Sequence, residues 1–257
     1  MRKNSNLVCN SAFSAKIRDL IKNSERRQMA VFSDFCSPAE AACVLEEFKF
    51  FSGVNLRFFG GNENCERRCA CFFRDYMEIS EADFPLAAIE ITFNKKFSTE
   101  MSHRDYLGSI LGLGIDRSKT GDILVFDGSA LCYVKKEISD YIASNIEKVG
   151  RNSVKAKVVD ISDIELPKLK TEEKSFTVAS LRIDAVAGGA FNIARGKIQL
   201  LIEGEKTFLN FLPEISPSKT VGEGDMISVR GFGRFKILSV NGKTKKDRIS
   251  ITVLKYV

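Results

Sequence analysis

Arg182, Arg195, Lys197 and Gln199 are the residues whose types and spacing most readily do chemistry in this chain. Guanidinium and ammonium groups bind phosphate oxygens through charge-assisted hydrogen bonds, and a planar guanidinium can use two parallel bonds at once. Ala194, Ile198, Leu201 and Ile202 recur at helical spacing and make one apolar face. Arg195 and Gln199, four residues apart, then lie together on another side, with Lys197 flanking them. Arg182 opens the preceding helix. Two short helices are therefore expected to present Arg182, Arg195 and Lys197 around one groove. A solvated basic helix face would explain the same spacing.

Charge distribution bears on that choice. The net charge is +6, and residues 176–257 hold 13 Lys and Arg against 7 Asp and Glu, so the whole excess lies in the last third of the chain. A basic domain joined to a neutral body is the footprint of a polyanionic partner. Apolar residues make up 44% and charged residues 28% of the 257 residues, which suits two or three compact domains and not broad disorder. The polar start, Met1 to Asn6, does not resemble a signal peptide, and no apolar run is long enough to span a membrane. A cytoplasmic protein that does not touch membranes is expected, and no cofactor is implied.

The groove needs elements to hold it. Residues 1–80 read as an N-terminal α+β domain. A helix runs from about Phe13, and a second begins at Ser37-Pro38-Ala39-Glu40, a capping-box start. Val54–Phe59 and Cys69–Phe73 read as strands. Residues 81–161 follow a β-α-β-β-α-β order: Leu86–Phe93, a helix capped by Ser102, a hairpin at Asp127-Gly128, the helix Ile138–Val149, and Val154–Asp160. That order resembles the ferredoxin-like, split βαβ plan shared by RNA-recognition motifs. Residues 162–175, with Pro167 and mixed charges, read as a linker. In residues 176–257, helices Leu181–Ala187 and Ile193–Ile202, the latter capped by Asn192, precede strands Lys206–Phe211, Met226–Arg230, Arg234–Val240 and Ile249–Tyr256.

Three stretches carry a resemblance: Ser180 to Ala187, Phe191 to Gly204, and Val221 to Val229. In that order they resemble the RNA-binding module named after ribosomal protein S four. The continuation, Arg230-Gly-Phe-Gly-Arg-Phe-Lys236, together with His103-Arg-Asp-Tyr-Leu-Gly108, Leu111 to Arg117 and Gly121-Asp-Ile123, looks like the YlmH family in particular. The resemblance implies non-enzymatic binding of ribosomal RNA or tRNA at the large ribosomal subunit, in handling stalled translation, by a monomer. It implies contacts from Arg182, Arg195, Lys197, Gln199, Lys206, Arg230, Arg234 and Lys236. Ala194 departs from the serine usual in the family, which removes one hydroxyl donor. Gly188-Gly189 replaces helix-favouring residues, so the first helix is expected to end early.

Related modules are often tethered to RNA-modifying enzymes, and the family is also associated with the cell-division gene cluster. An enzyme and a division scaffold are therefore the rival readings. No phosphate-binding loop or dinucleotide fingerprint supports the enzyme, and Gly108-x-x-x-Gly112-x-Gly114 follows a helix instead of opening one. The seven cysteines, at 9, 36, 43, 65, 69, 71 and 132, are odd in number and are expected to be reduced thiols. Cys65, Cys69 and Cys71 cluster, but zinc would need a fourth ligand, and the single histidine, His103, lies well along the chain, so no metal site is expected. His103, beside Arg104 and Asp105 at a helix start, reads as a capping or packing residue.

Overall fold

The computed structural model describes residues 9–94, 101–164, 171–243 and 247–256. The polar start of the chain, and residues 165–170 of the expected linker, lie outside them. The chain divides into two compact units, Met1–Glu165 and Leu166–Val257. Among the described residues no helix is long and apolar enough to cross a membrane.

The first unit opens with α1 (Ser11–Arg27), β1 (Val31–Cys36), α2 (Pro38–Phe48), β2 (Val54–Phe59) and β3 (Arg68–Arg74). Ser37 and Glu40 close the expected capping box on α2. The strands form an antiparallel sheet in the order β1-β3-β2. Strand β1 is not foreseen by apolar alternation, because Ser33 and Asp34 interrupt it and the pairing with β3 shifts register between Phe32 and Phe35. The Ser33 hydroxyl accepts from the Ala70 N–H at 2.8 Å, a side chain standing in for the ladder at that irregularity.

The same unit continues with β4 (Leu86–Phe93), α3 (His103–Gly112), β5 (Thr120–Phe126), β6 (Ser129–Lys135), α4 (Ser139–Asn145), β7 (Lys148–Val149) and β8 (Asn152–Val159). These strands form a five-stranded antiparallel sheet in the order β5-β6-β4-β8-β7. Helix α4 stops short of the expected Val149, because the left-handed Gly150 turns Lys148–Val149 back onto β8. Buried Ile89, Ile91, Tyr106, Ile110, Cys132 and Ile142 fill the core between this sheet and its helices. The two sheets are tied by polar contacts. Arg67 donates to the Phe35, Arg117 and Thr120 carbonyls, Asn62 donates to the Tyr133 hydroxyl, and buried Lys135 donates to the Ser33 carbonyl.

The second unit holds β9 (Thr171–Val178), α5 (Ile183–Phe191), α6 (Arg195–Glu203), β10 (Thr207–Leu209), β11 (Leu212–Pro213), β12 (Met226–Val229), β13 (Gly233–Lys243) and β14 (Ile249–Tyr256). Its antiparallel sheet runs β11-β10-β12-β13-β14-β9. Residues 171–175, expected to be linker, are therefore strand, paired with β14 from Thr171↔Tyr256 to Ser175↔Thr252. Only Phe176 and Val178 of β9 face the core, and a polar, charged edge strand reads as linker in sequence. A fragment starting at residue 166 should unfold at higher temperature than one starting at residue 176, which lacks five strand residues; thermal melts of the two fragments check this.

Helix α5 also departs from expectation. It passes through Gly188-Gly189 to Phe191 and ends at Asn192, which adopts the left-handed conformation at φ 56°. Asn192 thus terminates α5 instead of capping α6, whose N-cap is Ala194 with no side-chain hydrogen bond. Lys174 of β9 donates to the Gly189 and Ala190 carbonyls and to Asn192 Oδ1 at 2.9–3.0 Å, satisfying the helix end. Gly189 is needed for close approach, since a Cβ there would lie 2.4 Å from the Phe176 ring. Gly189→Ala should therefore destabilise the second unit by about 1–3 kcal/mol through overpacking. Gly196→Ala, where a Cβ meets nothing within 4 Å, should be neutral or stabilising. Urea unfolding of both variants checks the contrast.

The cysteine expectation is corrected in part. Cys9, just before α1, and Cys43 of α2 form a disulfide with Cα atoms 5.7 Å apart, because the two helices pack side by side. Cys36, Cys65, Cys69, Cys71 and Cys132 are buried and form no disulfide. Burial pushes the Cys69 and Cys71 thiols up to about 12, so neither is a thiolate at neutral pH. Among the described residues no group of three His, Cys, Asp or Glu side chains is placed to hold a metal ion.

Candidate nucleic-acid interface

The second unit builds its basic cluster around a carboxylate. Asp184 stands in the first turn of α5, Arg182 at its N-cap, Arg195 at the first position of α6, and Gln199 one turn later. Asp184 is fully buried, with 0% exposure. Arg195 donates to it through Nε at 2.9 Å and Nη2 at 3.2 Å, Arg182 through Nε at 3.3 Å and Nη2 at 3.2 Å, and Gln199 through Nε2 at 2.9 Å. Burial alone would push the Asp184 carboxyl up, but the donors from Arg182, Gln199 and Arg195 together outweigh it and hold it below the usual carboxylate range.

This arrangement has a consequence for binding. Each guanidinium spends two N–H groups on Asp184 and keeps others for a ligand. Their side chains are 38% (Arg182) and 50% (Arg195) exposed, so the free edges reach solvent while the bonded edges are fixed. Two cations against one anion leave the pair net positive. Two helix starts, with backbone N–H groups that have no intrahelical partner, lie beside them. A phosphate group is the ligand that such fixed, partly neutralised guanidinia suit best.

The structure separates the other expected residues from this cluster. Lys197 does not join Arg182 and Arg195; its ammonium lies 5.4 Å over the Phe232 ring. Lys206 falls just before β10 and is exposed, its carbonyl accepting the Arg230 N–H at 2.8 Å. Arg234 and Lys236 alternate along β13 with buried Phe235 and Ile237, which pack into the helix-covered core, so both cations project from the opposite face of the sheet. The expected groove of Arg182, Arg195 and Lys197 is thus corrected: Lys197 stands apart, Asp184 and Gln199 join the two arginines, and Arg234 and Lys236 lie on the other face of the sheet. Sequence spacing missed Asp184, although its signal was present: an acid two residues after Arg182, within a basic segment, at a helix start.

Residues 80–163 match the family model described as "Putative RNA-binding domain in YlmH". A curated relative, "Ribosome-associated protein quality control protein P2" of Bacillus subtilis (strain 168), is 34% identical over 220 residues, covering 86% of this chain and 85% of that protein. Among solved structures, "Cell division protein ylmH from Streptococcus pneumoniae" is similar in fold, with a TM-score of 0.54, 22% identity, and coverage of 64% of this chain and 99% of that one. With that identity held across most of its length, the chain belongs to the YlmH family.

Proposed function

We propose that this protein is a non-enzymatic binder of structured RNA, ribosomal RNA or tRNA, and that it acts at the large ribosomal subunit when translation stalls. The observation that carries the reading is the Arg182–Asp184–Arg195 cluster. It offers fixed guanidinium edges in the last third of the chain, residues 176–257, whose 13 Lys and Arg against 7 Asp and Glu equal the net charge of +6. The curated relative's name speaks of ribosome association and quality control, and the family description speaks of RNA. The β5-β6-β4-β8 order in the first unit is that of the split βαβ plan and supports an RNA-recognition-like middle domain, with residues 171–257 as the S-four-type module.

The matched segment 80–163 holds 11 Lys and Arg against 13 Asp and Glu. The reading therefore gives the second unit the main attraction to phosphates and segment 80–163 a positional part in RNA contact. Binding should weaken steeply with salt, the logarithm of the affinity falling by about 0.7–0.9 per phosphate contact for each decade of salt. Titrations of a ribosomal RNA hairpin at several salt concentrations measure that slope, and a salt-independent affinity contradicts the reading. Ultraviolet crosslinking followed by sequencing of the bound RNA tests the assignment. Crosslinks should map to ribosomal RNA or tRNA, through peptides of residues 171–257.

A further inference from the structure

From the outer face of the second unit's sheet we infer a distinct binding surface for single-stranded RNA, one that works by base stacking. This inference rests on the RNA-binding reading above. Register places Phe208 opposite Ser228, Ser228 opposite Arg234, and Arg234 opposite Tyr256, so these four residues form one row across β10, β12, β13 and β14. Neighbouring strands lie about 4.8 Å apart, so the row spans roughly 14 Å and ends in an aromatic ring on each side. Each ring carries a guanidinium. Arg230 lies 5.2 Å from the Phe208 centroid, and Arg234 lies 4.9 Å from the Tyr256 centroid. Lys236 stands next along β13, on the same face as Arg234.

Such a row fits one kind of ligand. A guanidinium over a ring presents a flat, cationic plane, on which a nucleobase stacks without regard to its identity. Single strands offer unstacked bases for this, whereas duplex bases are already stacked. The phosphates between two stacked bases would meet Arg230, Arg234 and Lys236, which gives the face its charge complementarity. The helix-side cluster differs in kind. It has fixed guanidinium edges around Asp184 and suits the phosphates of a folded RNA.

The test uses the full chain and two probes, an unstructured CA-repeat oligoribonucleotide of about ten nucleotides, within the range one such surface covers, and a ribosomal RNA hairpin. Tyr256→Ala should weaken oligonucleotide binding about tenfold and leave the hairpin affinity within about twofold. Arg195→Ala should do the reverse. The chain has no tryptophan, so Tyr256→Trp keeps a stacking ring and supplies a single reporter. Its emission should be quenched by the oligonucleotide with the same affinity that the titration gives. Tyr256→Trp emission that does not respond to saturating oligonucleotide would overturn the inference. So would oligonucleotide affinity that falls with Arg195→Ala and not with Tyr256→Ala. If the hairpin binds through Arg195 while the oligonucleotide does not bind, this face is refuted and the RNA-binding reading stands. If neither probe binds, both fall.

Discussion

Arg195→Ala should lower the affinity for a structured RNA roughly ten- to a hundredfold and leave the protein folded but less stable, with Arg182 and Gln199 still donating to the buried Asp184. A hydrogen bond to a charged group contributes on the order of 1.5–3 kcal/mol, which is the stated range in affinity. The half-exposed guanidinium contributes little packing, and the buried Ile198 and Ile202 still anchor α6 when it is removed. Ala194 offers no hydroxyl beside it to take over the contact. Arg195→Lys should recover only part of the loss, because an ammonium cannot hold Asp184 with one edge and a phosphate with the other. Titration of a ribosomal RNA hairpin with each variant, with circular dichroism to confirm folding, measures the effect. Lys155→Ala, on exposed β8 in the first unit, should change little.

Asp184→Ala should have the larger effect on stability. It removes a fully buried carboxylate that accepts from three side chains, and it leaves two guanidinia facing each other without their anion. Losing one partner of a buried ion pair costs on the order of 3–5 kcal/mol. Both guanidinia reach solvent here, so the lower end applies, about 3 kcal/mol, or a fall of roughly 12–24 °C in the melting temperature of a unit of this size. Asp184→Asn should fall between wild type and alanine. RNA affinity should drop in both variants although each adds net positive charge, because the guanidinia lose their orientation. A variant that binds RNA more tightly would show that charge matters here and geometry does not.

The same carboxylate sets a pH dependence. Its folded-state value lies below the unfolded one of about 3.9, so its contribution to stability is fully present above that pH and is lost as pH falls through the folded value. Unfolding followed from pH 7 into the acid range should show a steeper loss for wild type than for Asp184→Asn, which has nothing there to titrate.

Much of this was readable in the residues, for physical reasons that differ from place to place. The capping box at Ser37, the Asp127-Gly128 turn and the apolar face of α6 are local signals, and each produced the element it implies. Strands β1 and β9 were not legible. One is interrupted by Ser33 and Asp34 at a register shift, and the other is an edge strand whose solvent side is polar. Asn192 suits an N-cap by type, yet three donor bonds from Lys174, eighteen residues earlier, fix it and the preceding carbonyls as the end of α5. At the site, the arginines were visible as charges. Their shared partner was not, because convergence on Asp184 depends on how two helices pack. Which face Arg234 and Lys236 occupy depended on register with buried Phe235 and Ile237, and not on their distance from Arg195 along the chain.

The most direct measurement is co-sedimentation of the full chain with purified ribosomal subunits through a sucrose gradient at low salt, wild type beside Arg195→Ala. The account predicts that wild type travels with the large subunit, that added salt releases it, and that the variant stays largely at the top of the gradient. Wild-type protein that remains at the top at low salt, or a folded Arg195→Ala variant that sediments as wild type does, would contradict it.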